Sequence, residues 1–159
     1  MGSRSKADLA YIAGFLDGDG SLMLQLKHRK DGKRNWRFMV TICFYQDCRH
    51  EKPLDWIRSV LGIGYISRRK DKITELRING FKQVGNIVKI LLPFLKFKKE
   101  QAKVLYEACK LLSLKPLRSL TSVELRRLVG YMLSIQKENY VTKRKKSGKE
   151  LLMVLGLTP

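Results

Sequence analysis

Acid is scarce in this sequence. Only 14 Asp and Glu stand against 33 Lys and Arg, giving a formal net charge of +19 over 159 residues and an isoelectric point of about 10.1. Charge of this density speeds encounter with polyanions and ties affinity to counterion release from phosphates, so nucleic acid is the default partner. Long apolar runs are missing as well: no segment approaches the ~20 residues of a spanning helix. The positive charge is spread along the chain, which makes a membrane surface the weaker reading, and no membrane partner is expected. Cysteine is sparse and odd in number. Cys43, Cys48 and Cys109 form no C-x-x-C pair, which argues against a disulfide framework or a thiolate zinc site and for a reducing compartment. No apolar segment follows Met1 to Lys6, so a secretory leader is not expected and residues 1–6 read as an N-terminal tail. With 44% hydrophobic residues, the chain is long enough for one globular domain with a sizeable core.

Because acid is scarce, its placement is informative. Ile12-Ala13-Gly14-Phe15-Leu16-Asp17-Gly18-Asp19-Gly20 ends an apolar helix on two carboxylates and two glycines. A helix carries about half a negative charge at its C-terminus, so Asp17 and Asp19 are costly there unless a cation sits beside them. The helix is expected from Lys6 to Leu16, with Leu9, Ile12 and Leu16 as its core face. A second stripe, Ala10, Gly14 and Gly18, is small. Glycine inside a helix costs ~1 kcal/mol relative to alanine, so Gly14 needs a reason. Close approach of a partner helix and packing against the helix's own sheet would each supply one.

After Gly20 the apolar period changes from 3.6 to 2. Leu22, Leu24 and Leu26 alternate with Met23, Gln25, Lys27 and Arg29, Asp31-Gly32 signals a turn, and Trp36, Phe38, Val40, Ile42 and Phe44 return. The opposite face of this hairpin carries Gln25, Lys27, Arg29, Arg37, Met39, Thr41 and Cys43, a mainly polar set able to reach base edges and phosphates. Pro53 opens a helix that ends before Gly62. Gly64 to Arg69 and Ile73 to Asn79 form a second hairpin with Tyr65, Ser67, Arg69, Glu75 and Arg77 outward. Helices are then expected at Phe81 to Leu92, Lys98 to Leu114, and from the capping box at Thr121 to about Asn139. Leu151 to Leu157 is apolar enough to dock or form a short helix. The order predicts an α+β fold, one antiparallel sheet covered by helices on one face, with a single domain over 7–140 and a basic C-terminal segment over 141–159.

The nine-residue stretch, followed by two hairpins separated by a helix, resembles the LAGLIDADG homing endonucleases, specifically the single-motif members that act as homodimers. The resemblance implies an αββαββα fold with a saddle-like sheet. It also implies site-specific cleavage of both strands of a long, pseudo-palindromic duplex by metal-dependent phosphodiester hydrolysis. By the same resemblance Asp19 is a metal ligand and the Gly18 carbonyl lies near the metal, with Mg²⁺ as cofactor and Ca²⁺ or Mn²⁺ able to substitute. Gln46 matches a residue that orders solvent, and Lys98 matches a basic residue near the scissile phosphate. Asp17 matches a position that supports the motif's structure, and His50 reads as an exposed residue at a helix start. Ala10, Gly14 and Gly18 become the homodimer seam. The outward residues of both hairpins, including Ser67, Arg69, Glu75 and Arg77, become the double-stranded DNA face. The family's habit of residing in introns suggests a chloroplast or mitochondrion.

Rival readings differ in what they leave unexplained. Asp17-x-Asp19-Gly20 is not an EF-hand loop, because Gly20 at position 6 puts Phe15 at position 1 and Leu26 at position 12. Gly62-Ile63-Gly64-Tyr65-Ile66 has the start of a GIY-YIG pattern without its second half. An RNA maturase, or a binder assisting intron splicing without cleavage, fits the charge equally well; intron RNA is then the partner. A basic ribosome-associated protein leaves Asp17 and Asp19 without a reason. The run Lys143 to Lys149 reads as a mobile segment touching phosphates.

Overall fold

A computed structural model describes residues 4–30, 36–139 and 144–159. The Asp31-Gly32 turn, the first three residues of the tail and Lys143 lie outside the described residues. Helix α1 spans Lys6–Asp19, β1 Gly20–His28, β2 Trp36–Asp47, α2 Lys52–Leu61, β3 Tyr65–Arg68, β4 Ile73–Asn79 and α3 Phe81–Leu91. Helices α4 (Lys99–Leu114), α5 (Ser122–Glu138) and α6 (Gly148–Val154) follow. The expected αββαββα order is therefore present, with three more helices behind it.

Local chemistry sets the helix ends. The Ser5 hydroxyl accepts from the Asp8 amide at 3.0 Å and starts α1. Arg4 is not loose tail, because its guanidinium donates to the carbonyls of Val60 (3.2 Å) and Leu61 (2.7 Å) at the end of α2. Gly62 ends that helix in the left-handed region at φ 69°, which costs glycine nothing sterically. The capping box forms at Thr121 and Glu124 as expected.

All four strands pair antiparallel in the order β1-β2-β4-β3. Gly20 pairs with Phe44 and His28 with Trp36, while Thr41 to Asp47 pair with Asn79 to Ile73. This register aligns the even positions on one face. Leu22, Leu24, Leu26, Phe38, Val40, Ile42, Phe44, Leu76 and Ile78 are all buried there, in one core with Ile12, Leu16, Ile57, Leu91 and Leu105. The odd positions of the strands form the other face. Leu151 of α6 is fully buried in the same core, so the apolar end of the 141–159 segment belongs to the domain rather than standing apart from it. The stretch Arg144 to Ser147 has no regular structure, whereas Lys149 sits in α6, whose first turn Ser147 caps.

One difference from expectation positions the site. Helix α1 does not stop at Leu16; it continues to Asp19 and passes directly into β1 with no intervening loop. Gly20 makes that junction possible. A Cβ there would lie 2.5 Å from Leu16 Cδ1 and 2.9 Å from both the Cα and the O of Leu16. Gly130, in the middle of α5, has nothing within 4 Å of the same position. Gly20→Ala is therefore expected to destabilise the fold by about 1–3 kcal/mol through overpacking. Gly130→Ala should stabilise it, by at most about 1 kcal/mol of helix propensity. Chemical denaturation of the two variants against the parent checks both signs.

Candidate active site and nucleic-acid face

The acidic end of α1 opens into a hollow of about 700 Å³ at one end of the sheet. Asp17, Gly18, Asp19, Ser21, Tyr45, Arg69, Phe97, Lys98, Gln101 and Asn139 are among the residues that line it.

The two aspartates are separated by function. The Asp17 carboxylate accepts from the backbone amides of Lys96 (2.7 Å), Phe97 (3.2 Å) and Lys98 (2.9 Å), residues 79 to 81 positions away. Helix α4 begins at the next residue and its N-cap, Lys98, makes no side-chain cap bond, so Asp17 supplies the negative charge that this helix start favours. In return the Lys98 ammonium donates to the main-chain carbonyl of Asp17. A cation thus sits at the C-terminus of α1, where the charge argument required one. Burial holds the Lys98 amine below its usual lysine value, against the opposing pull of Asp17 and Asp19. Asp19 takes none of these bonds and remains exposed in the hollow.

A single carboxylate beside a helix-end carbonyl is the donor set that suits Mg²⁺, which takes one or two protein carboxylates and keeps phosphate oxygens and waters for the rest. Among the described residues no group of three or more His, Cys, Asp or Glu could enclose an ion. The residues present fit an open divalent-cation site and not a closed structural one.

Gln46 lies at the end of the second strand, as expected. It stands on β2 two residues past the Gly20–Phe44 pair, but does not line the hollow, and its side-chain oxygen accepts from the Asp47 amide at 2.9 Å. Three residues missed in the sequence do line it: Ser21 and Tyr45, whose hydroxyls meet at 2.8 Å, and Gln101. Burial pushes the Tyr45 phenol up to about 12 despite the bond from Ser21, so it is neutral at physiological pH. Gln101 is 5% exposed and its Oε1 has no partner among the described residues. Its signal was present, since a residue three past Lys98 shares that face of α4.

On the outer sheet face, Lys27, Arg29, Arg37 and Arg69 are exposed, and Gln25, Met39, Ser67 and Arg77 are partly so. Thr41, Cys43 and Glu75 are not open as expected. Thr41 is fully buried with its hydroxyl donating to Asn79 Oδ1 at 2.7 Å, and Cys43 is fully buried between Ser21 and Arg77 on the neighbouring strands. Burial pushes the Cys43 thiol up to about 11. Glu75, 5% exposed, lies under Arg69 (3.1 Å) and Arg77 (3.0 Å). Long side chains on neighbouring strands cover short ones, which alternation alone does not reveal. His50 is exposed, as read from the sequence.

Ala10, Gly14 and Gly18 are all exposed, and a Cβ on Gly14 or Gly18 would have nothing within 4 Å. The stripe is therefore not tucked against its own sheet. Tyr11, 63% exposed, borders it and meets Trp56 edge to face.

Solved structures place this architecture in the homing-endonuclease fold. The homing endonuclease I-CvuI in complex with a DNA target superposes with a TM-score of 0.83 at 24% identity, covering 95% of this chain and 94% of that one. An archaeal intron-encoded homing endonuclease complexed with DNA gives 0.80 at 22% identity, over 94% and 95%. I-SmaMI bound to cleaved DNA gives 0.75 at 20% identity, covering 98% of this chain but 50% of that one. Residues 12–106 match the family described as LAGLIDADG endonuclease, and the chain belongs to it, with one copy of the motif. DNA endonuclease I-CreI of Chlamydomonas reinhardtii is 32% identical over 100 residues, 63% of this chain and 61% of that protein. DNA endonuclease I-CvuI of Chlorella vulgaris is 33% identical over 102 residues, 64% and 63% respectively. The matched region thus spans under two thirds of each of these relatives.

Because the Asp17 bonds hold Lys98 in place, Asp17→Ala should lower stability by about 1.5–3 kcal/mol, the range for hydrogen bonds to a charged group. It should also speed amide exchange at Lys96, Phe97 and Lys98 while leaving the β1–β2 ladder protected, which hydrogen exchange measures directly.

Proposed function

We propose that this chain is a site-specific DNA endonuclease that acts as a homodimer. It cuts both strands of a long, roughly palindromic duplex by divalent-metal-dependent phosphodiester hydrolysis. The observation that carries this reading is the exposed Asp19 beside Lys98, in a hollow at the end of a basic sheet face. Relatives named as DNA endonucleases, and DNA complexes of the same fold, support it.

Each residue has a distinct task. Asp19 and the Gly18 carbonyl would hold Mg²⁺, which would supply Lewis-acid stabilisation of the charge developing on phosphate oxygens. Lys98, set by Asp17, brings an ammonium to the scissile phosphate. The protein cation matters because positive charge aimed in advance at developing charge costs no reorganisation during reaction. Gln46 joins as a solvent-orienting group if its carboxamide turns from the Asp47 amide. Lys27, Arg29 and Arg37 neutralise backbone phosphates, and the two-stranded ribbons are narrow enough to enter a major groove.

The open stripe at Ala10, Gly14 and Gly18 supports a helix pair that brings two Asp19 side chains together, one per strand. The match of this fold to half of the I-SmaMI chain is in keeping with two copies acting as a unit.

The test is selection of cleaved sites from a randomised duplex library with Mg²⁺, against EDTA. Enrichment of one site with Mg²⁺ alone is expected; no enrichment removes the nuclease reading. Asp19→Asn should bind the selected site with undiminished affinity but fail to cut it, and parent-rate cleavage by that variant would reject Asp19 as a ligand. Gly14→Leu should sediment as a folded monomer, because a branched side chain separates the paired backbones; a dimer mass rejects the seam.

A further inference from the structure

A carboxylate grips the second hairpin from behind. Glu51, which opens α2, accepts from Arg68 through Nε (3.1 and 3.0 Å) and Nη2 (2.6 Å), and from the Thr74 hydroxyl at 2.6 Å. Arg68 and Thr74 are cross-strand partners in β3 and β4. Side chains alternate along strands, so both point to the face opposite Ser67 and Glu75. The neighbouring turn adds a second grip, the Cys48 amide donating to the Lys72 carbonyl at the hairpin's tip at 2.9 Å.

The position of this lock matters. In the order β1-β2-β4-β3, strand β3 is an edge with one neighbour and spans only Tyr65–Arg68. It is thus the strand that the ladder holds least. On its outer side, Arg69 is paired with both Glu75 (3.1 Å) and Asp71 (2.7 Å), so these side chains move with the hairpin as a unit. A carboxylate that receives both Nε and Nη2 of an arginine fixes one relative orientation of the two groups. The Thr74 hydroxyl is fully buried, so no water replaces Glu51 as its acceptor without opening the hairpin.

We propose that Glu51 is a positioning residue for sequence recognition: by holding Arg68 and Thr74 it sets the pitch of the β3–β4 hairpin and hence which base pairs Ser67 and Arg69 meet. The inference rests on the reading of the outer sheet as the DNA face. Recognition geometry must be held within about 0.5 Å, so a tether that shifts the hairpin slightly alters specificity before it alters folding.

The experiment is the same cleaved-site selection, run position by position on the parent, Glu51→Gln, Arg68→Ala, Thr74→Val and Thr74→Ser. Arg69→Ala run alongside defines the base pairs that the hairpin reads. Expected is a loss of about tenfold discrimination at those pairs alone for the first three variants, the size of one good base contact. Thr74→Ser, which keeps the hydroxyl, should match the parent. Arg68 is largely exposed, so its variant gives the answer even if a Thr74 or Glu51 variant fails to fold. Unchanged profiles, or an even loss across the whole site, would overturn the lock while leaving the nuclease reading intact. A parent that enriches no site removes the premise and the inference with it.

Discussion

The Asp17 carboxylate, accepting three consecutive amides of Lys96, Phe97 and Lys98, joins two parts of the chain that are 79 to 81 residues apart. The acidic end of α1 and the start of α4 are held together by that junction. It lets α1 run past Leu16 with two acids in its final turn, because one acid serves another helix's start and a lysine answers the carbonyl left at the end of the first. What remains is Asp19, whose charge stays open to the hollow, as does that of Glu138. The motif is thus a division of labour between adjacent acids: one is spent on the fold so that the other can stay unspent.

The sheet applies a similar separation between its faces. Apolar even positions bury against helices, and the odd positions carry the charge. Within the odd face there is a further layering, with Thr41, Cys43 and Glu75 covered by longer neighbours. Glu75 is negative charge on a face otherwise set up for phosphate, and it is held under Arg69 and Arg77. Its effect is to fix two guanidinium groups in place rather than to repel a polyanion. Arginines tethered in this way lose less conformational freedom on meeting a ligand than free ones do.

Much of this architecture was legible in the residues because it is written in short-range patterns. The change of period at Gly20, the stop at Gly62 and the capping box at Thr121 each depend on neighbours within four positions, and each appears where expected. The α+β class and strand pairing followed from them. The site was only half legible. Asp19 and Lys98 share the hollow, but Gln46 turns to its own neighbour, and Tyr45 and Gln101 entered unannounced. The reason is physical: alternation says which face a side chain takes, whereas depth on that face depends on the lengths of side chains from other strands. Asp17's partners were invisible for a plainer reason, since backbone amides carry no residue-type signal.

The junction at Gly20 has a bearing on how such a protein measures its ligand. Helix and strand share an unbroken backbone there, with no residue free to act as a hinge. If two copies pair along α1 as proposed, the gap between the two sheets becomes a fixed gauge, set by helix contact and not by any group that touches a base. A duplex carrying one extra base pair between its half-sites would be displaced by about 3.4 Å along its axis and turned by about a tenth of a helical turn. The protein has no slack to follow, so any adjustment falls to the DNA, whose central steps must bend or twist at a cost that depends on their sequence. In such a pair, selectivity at untouched central base pairs would follow from a helix that runs straight into a strand.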